Sequence, residues 1–191
     1  MAYFEELPVG KLLITGGGVA GGTPVSATGL SVVHKQMGYS GQSVFTFNNF
    51  PITVPTANKY IGVLLYTFPK CLLGMDGAVA TLTETTTSTI ATTLTSAAGV
   101  FSIGSAAASS TTLTGTAATF LASTAITPSA TIAVAGTKAS AQLASGPFVD
   151  GTTTAVPVYL NLAFTSMSTA DATTTWTGQI VLSWNNLGAY L

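Results

Sequence analysis

The chain has 191 residues, with 5 lysines, no arginine and 6 acidic residues; charged residues are 6% of it, against about 25% in an ordinary soluble domain. Five scattered lysines cannot build a basic patch, which excludes phosphate-backbone binding. A single histidine and a single cysteine supply neither a structural zinc site nor a disulfide framework, and no cofactor is expected. Thr (34), Ala (27), Gly (20) and Ser (17) make up more than half of the chain. A surface of such residues carries little charge to keep copies apart, so the composition points to a protein that works packed in an assembly.

Residues 1–24 read as an extended arm and 25–191 as one β-domain. Tyr3, Phe4 and Leu7 are apolar, and Lys11-Leu12-Leu13-Ile14-Thr15 suits a short strand. The stretch Gly16-Gly17-Gly18-Val19-Ala20-Gly21-Gly22-Thr23-Pro24 then opposes regular structure. Ordering the arm needs another surface, so Tyr3, Phe4 and Leu7 are candidate interface residues. The N-terminus has no basic region before a long apolar core, so it does not read as a secretory signal.

Strand signals follow. Residues 30–37 and 43–47 flank Gly38-Tyr39-Ser40-Gly41-Gln42, a candidate hairpin loop. Ile52-Thr53-Val54 lies between two prolines and reads as a short edge piece. Residues 61–68 are apolar at nearly every position, as in a strand covered on both faces. They are far short of the roughly 20 residues of a spanning helix, so no membrane is expected. Residues 78–83 are a further strand candidate.

Between Glu84 and Lys138 there is no charge at all. Phe101-Ser102-Ile103 and Ile132-Ala133-Val134 suggest short strands, and residues 116–122 one or two helical turns. The β-branched Thr runs argue against a longer helix. The clearest pattern is C-terminal. Val156, Val158, Leu160, Leu162 and Phe164 share one parity; so do Trp176, Gly178, Ile180, Leu182 and Trp184. Each segment has one apolar and one mostly polar face. The short connection over 166–174 suits an antiparallel hairpin. The fold expectation is mainly β: an antiparallel β-sandwich of jelly-roll type with one short helix.

Motifs that carry chemistry fail on context. Gly16-x-Gly18-x-x-Gly21 matches a dinucleotide fingerprint as a string, but Thr23-Pro24 follows instead of a helix, and no acidic residue occurs between Glu6 and Asp76. Gly38-Tyr39-Ser40-Gly41-Gln42 lacks the last glycine of a hydrolase elbow. His34 therefore reads as a packed or pH-sensing strand residue, and Cys71 as a small buried one in a chain folding under reducing conditions. Asp76, Asp150 and Asp171 stand singly and read as turn residues. Trp176 and Trp184 read as core or as a buried interface anchor. No catalytic constellation emerges, so no enzyme is expected.

Asp150-Gly151-Thr152-Thr153-Thr154-Ala155, Val158-Tyr159-Leu160-Asn161-Leu162 and the run from Trp176-Thr177-Gly178-Gln179 through Ser183-Trp184-Asn185-Asn186-Leu187-Gly188 resemble the ending of small virion proteins of tailed phages. Leu7-Pro8-Val9-Gly10 before a Gly-rich stretch is similar to their start. Members of that family are mostly uncharacterised or thought to be capsid decoration (cement) proteins. The resemblance implies binding to the phage major capsid protein on the capsid exterior, as a homo-oligomer with a trimer favoured, after synthesis in the host cytoplasm. It carries no functional residue over, because the family has no catalytic motif to match. A small jelly-roll major capsid or tail protein is the alternative within that class, and a carbohydrate-binding adhesive β module lies outside it.

Overall fold

The computed structural model describes residues 23–37, 40–86, 99–126, 131–136, 148–165, 167 and 171–188. The expected arm contacts Tyr3, Phe4 and Leu7, the strand over 11–15 and the Gly16 motif lie outside the described residues.

The described chain forms β1 (Thr23–Pro24), β2 (Leu30–Met37), β3 (Ser40–Val54), β4 (Tyr60–Thr67), β5 (Leu72–Thr86), β6 (Gly99–Gly104), β7 (Leu121–Ile126), β8 (Thr131–Gly136), β9 (Phe148–Asp150), β10 (Pro157–Phe164) and β11 (Ala172–Asn186). The protein is mainly β, as the alternation predicts. The short helix is a single 3-10 turn at Gly115–Ala118, and Leu121 already belongs to a strand. All pairings are antiparallel. The first sheet runs β1, β4, β10, β6, β7; the second runs β2, β3, β11, β5, β8, with β9 also on β5.

The sheets face each other across one core. Phe68 of the first sheet's side meets Trp184 of β11 at 5.5 Å between ring centroids, and Phe101 of β6 meets Trp176 at 6.2 Å. Both tryptophans are fully buried, as are Val158, Leu160 and Leu162. They are core residues, so the parity reading holds. Burial of five such side chains contributes on the order of 8–12 kcal/mol before entropy is subtracted.

Several expectations need correction. β10 and β11 do not form a hairpin: β10 lies between β4 and β6, and β11 between β3 and β5. The connection crosses from one sheet to the other, because both apolar faces must point into the same gap. The five-residue loop expected between β2 and β3 is shorter: Met37 pairs with Ser40, so Ser40, Gly41 and Gln42 already belong to β3. Ile52, Thr53 and Val54 are the end of the long β3, not a separate piece. β2 stops pairing at Phe47, so Pro51 sits where one side of β3 has no ladder partner, as a residue without an N–H requires. Asp76 is not in a turn but inside β5. Residues 60–67 are mostly half-buried; Leu65 and Tyr66 are enclosed.

Gly178 sits at a bulge in β11, opposite the Phe47 and Phe50 stretch of β3, with φ of 133°. A Cβ there would run into the Thr81 carbonyl, so glycine is required both by its conformation and by the close approach of β5.

Candidate interaction surface

The two outer faces of the fold differ. On the first sheet, Gly62, Asn161 and Ser102 form one row across β4, β10 and β6. The polar parity of β10 predicts that Asn161 faces solvent, yet it is fully buried. The chain between β6 and β7 folds back over this row. The Asn161 amide donates to the carbonyls of Ala106 (3.0 Å) and Ala117 (2.7 Å), and its oxygen accepts the Ala108 N–H (2.8 Å). Ser102 donates to the same Ala117 carbonyl at 2.7 Å. Gly62 leaves the space: a Cβ there would stand 2.6 Å from Ala107 Cα. Leu113, Ala117 and Ala118 are buried in this cover.

The outer face of the second sheet has no such cover among the described residues. Val33 of β2, Val44 of β3, Val181 of β11 and Val79 of β5 stand in one transverse row, each paired with the next. Val33 is 48% exposed and Val79 47%. Directly opposed side chains in such a row touch, so the four make a continuous apolar ridge. One flank is Ser31, Thr46, Gln179 and Thr81; the other is Lys35, Gln42, Ser183 and Gly77. Beyond the second flank, Ser40 donates to Asn185 Oδ1 at 2.7 Å, and Asn185 Nδ2 donates to both Asp76 oxygens at 2.8 and 2.9 Å. A shallow recess of about 440 Å³ lies there, lined by Lys35, Ser40, Gly41, Gln42, Asp76 and Ser183. Among the described residues the other exposed large apolar ones, Phe148 and Leu187, are on β9 and just past β11. Scattered exposed valines carry no message; a row in register across four strands is a contiguous patch.

The residues weighed for catalysis each bond a different partner. His34 Nδ1 lies 2.8 Å from the Ser43 hydroxyl, which also accepts the Trp184 indole N–H at 2.9 Å. Ser43 is fully buried within the core, beyond the reach of a substrate. Ser40, the serine of the elbow-like string, bonds Asn185 instead. His34 packs on Tyr66 at 4.2 Å between ring centroids, and burial holds its pKa below the ordinary value. Burial and the neighbouring Cys71 thiol push the Tyr66 phenol up to about 12. Cys71 is buried and its thiol is raised by desolvation, as expected for an inert packed cysteine.

Asp150 accepts the Thr152 hydroxyl and N–H at 2.7 and 3.0 Å, which hold its carboxyl below the usual range. Asp171 accepts the Thr56 N–H at 2.8 Å. Asp150 is thus not in a turn but ends β9, paired with Leu72, where its side chain caps the bend that follows, and Asp171 stands just before β11. Among the described residues no group of three or more His, Cys, Asp or Glu is placed to hold a metal ion, and no helix is long and apolar enough to cross a membrane. Comparison with protein-family models, with curated proteins and with solved structures finds no match.

Proposed function

We propose that the chain is a non-enzymatic virion structural protein of jelly-roll type that binds and stabilises the outer surface of a phage capsid. The observation that carries this reading is the nested pairing of the strands. β3 pairs with β11, β4 with β10, β5 with β8 and β6 with β7. First pairs with last and so on inward, the pattern of one two-stranded ribbon wound around a core, and jelly rolls are recurrent in viral shells. The resemblance of residues 150–155, 158–162 and 176–188 to tailed-phage virion proteins points the same way, and the near-absence of charge suits a life in an assembly.

In this reading each copy makes modest contacts with the shell, including those of Tyr3, Phe4 and Leu7, and the repeating lattice multiplies them through avidity. Sedimentation of the purified full-length chain with undecorated phage shells is the test. Saturable cosedimentation, weakened on deleting residues 1–20 from a protein that still melts cooperatively, is the expected result. Full-length protein left in the supernatant at every concentration overturns the reading. Copy number per particle separates decoration from a major capsid role.

A further inference from the structure

We infer that the outer face of the second sheet, uncovered among the described residues, is an isologous interface with a second copy of this chain, packed face to face about a two-fold axis parallel to the strands. The strands there stand in the order β2, β3, β11, β5. An axis midway between β3 and β11 lays β2 of one copy over β5 of the other, and β3 over β11, while preserving position along the strands. Val33 then faces the partner's Val79, and Val44 faces the partner's Val181. The ridge packs on itself, as an isologous contact requires.

The charges fit the same operation. Lys35 on β2 shares its transverse row with Gly77, the residue next to Asp76 on β5. Within one copy the two intervening strands keep Lys35 and Asp76 apart. The two-fold axis brings Lys35 over the partner's Asp76 and repeats the contact once by symmetry. An axis perpendicular to the strands would instead send the Lys35 and Asp76 end of one copy to the opposite end of the other, and leave both charges without a counterpart.

The size is adequate. β3 and β11 are 15 residues each. With about 3.3 Å per residue and about 4.8 Å between strands, three to four strands present roughly 800 Å², close to the ~800 Å² per partner of a standard interface. Among the described residues the face is neutral apart from the two complementary charges in its polar flank, and sheets of this kind pack in near alignment. The first sheet cannot serve in the same way, because Asn161 holds residues 106–117 over it.

This inference does not depend on the virion reading, and its test uses no phage shells. The native mass of the full-length chain is measured by light scattering and native mass spectrometry across a dilution series. A dimer, or a higher assembly that dissociates through dimers, is expected. Val79→Lys, at an exposed outward position, is expected to weaken association at least tenfold with an unchanged melt; Val33→Lys serves if Val79→Lys fails to fold. Lys35→Asp and Asp76→Lys are each expected to weaken it several-fold, and the double exchange to restore it. A wild-type monomer, or a trimer indifferent to Val79→Lys, overturns the interface and leaves the face to another occupant such as the shell or a glycan. Failure of the double exchange to restore association overturns the two-fold register.

Discussion

Asn161 Nδ2 and the carbonyl of Ala117 meet at 2.7 Å across 44 positions of sequence, and that bond ties the chain between β6 and β7 to the outside of the first sheet. Ser102, the cross-strand neighbour of Asn161, donates to the same carbonyl. A segment whose one regular element is the 3-10 turn at Gly115–Ala118 is thereby anchored as a second layer.

Replacing Asn161 by Ala removes three hydrogen bonds: the half-buried Ala106 carbonyl and Ala108 N–H lose the Asn161 side chain, while the Ala117 carbonyl keeps Ser102. The expected cost is about 3–5 kcal/mol, with faster amide exchange confined to residues 105–119 at the onset. Chemical denaturation and hydrogen exchange measure both. A loss below about 1 kcal/mol would mean that the cover is held by Leu113 and the alanines instead.

The two faces of β11 are distinguished by Trp184 and Thr177. Trp184 is fully buried, and its indole donates to Ser43; Thr177 is exposed. Trp184→Ala is expected to cost about 3–5 kcal/mol, and Thr177→Ala within about 0.5 kcal/mol of nothing. Urea midpoints at equal slope provide the comparison.

His34 gives stability a pH dependence. Burial depresses its folded-state pKa below the ordinary 6.5. The unfolded chain therefore binds more protons than the folded one once the pH drops towards that value, so stability falls with falling pH. The fall begins near the unfolded pKa and ends below the folded one. Melting curves between neutral and mildly acidic pH are expected to show this slope. It is expected to be reduced in His34→Gln, which cannot titrate; an unchanged slope would assign it to the carboxylates.

Tyr66 supplies the alkaline counterpart. Its hydroxyl is buried with no hydrogen-bond partner among the described residues, and its phenol is raised from 10 to about 12. Between those values the unfolded chain releases its proton first, so stability declines as pH rises from 10 towards 12. Tyr66→Phe keeps the ring against His34 and Phe68 and removes the unpaired hydroxyl. It is expected to match or exceed the parent in stability by up to about 1 kcal/mol and to lessen the alkaline decline. A clear loss of stability would reveal a partner for that hydroxyl.

The alternation of Val156 to Phe164 and of Trp176 to Trp184 was legible because a strand's own covalent geometry sends successive side chains to opposite faces. The bend after Asp150 was legible for a similarly local reason, since an Asp side chain bonds the backbone two residues on. What a strand pairs with is a different matter. That β10 and β11 part into separate sheets depends on β3, β4, β5 and β6, which are contributed from far along the chain. Asn161 reads as exposed from its parity; it is buried because Gly62, 99 positions earlier, leaves a space that Ala107 fills. Val33, Val44, Val79 and Val181 carry no joint signal in the sequence, since each is one β-branched residue among many. Only the register of four strands sets them in a row, and register is decided by the shared core and the ladder, which act across the whole fold and not along the chain.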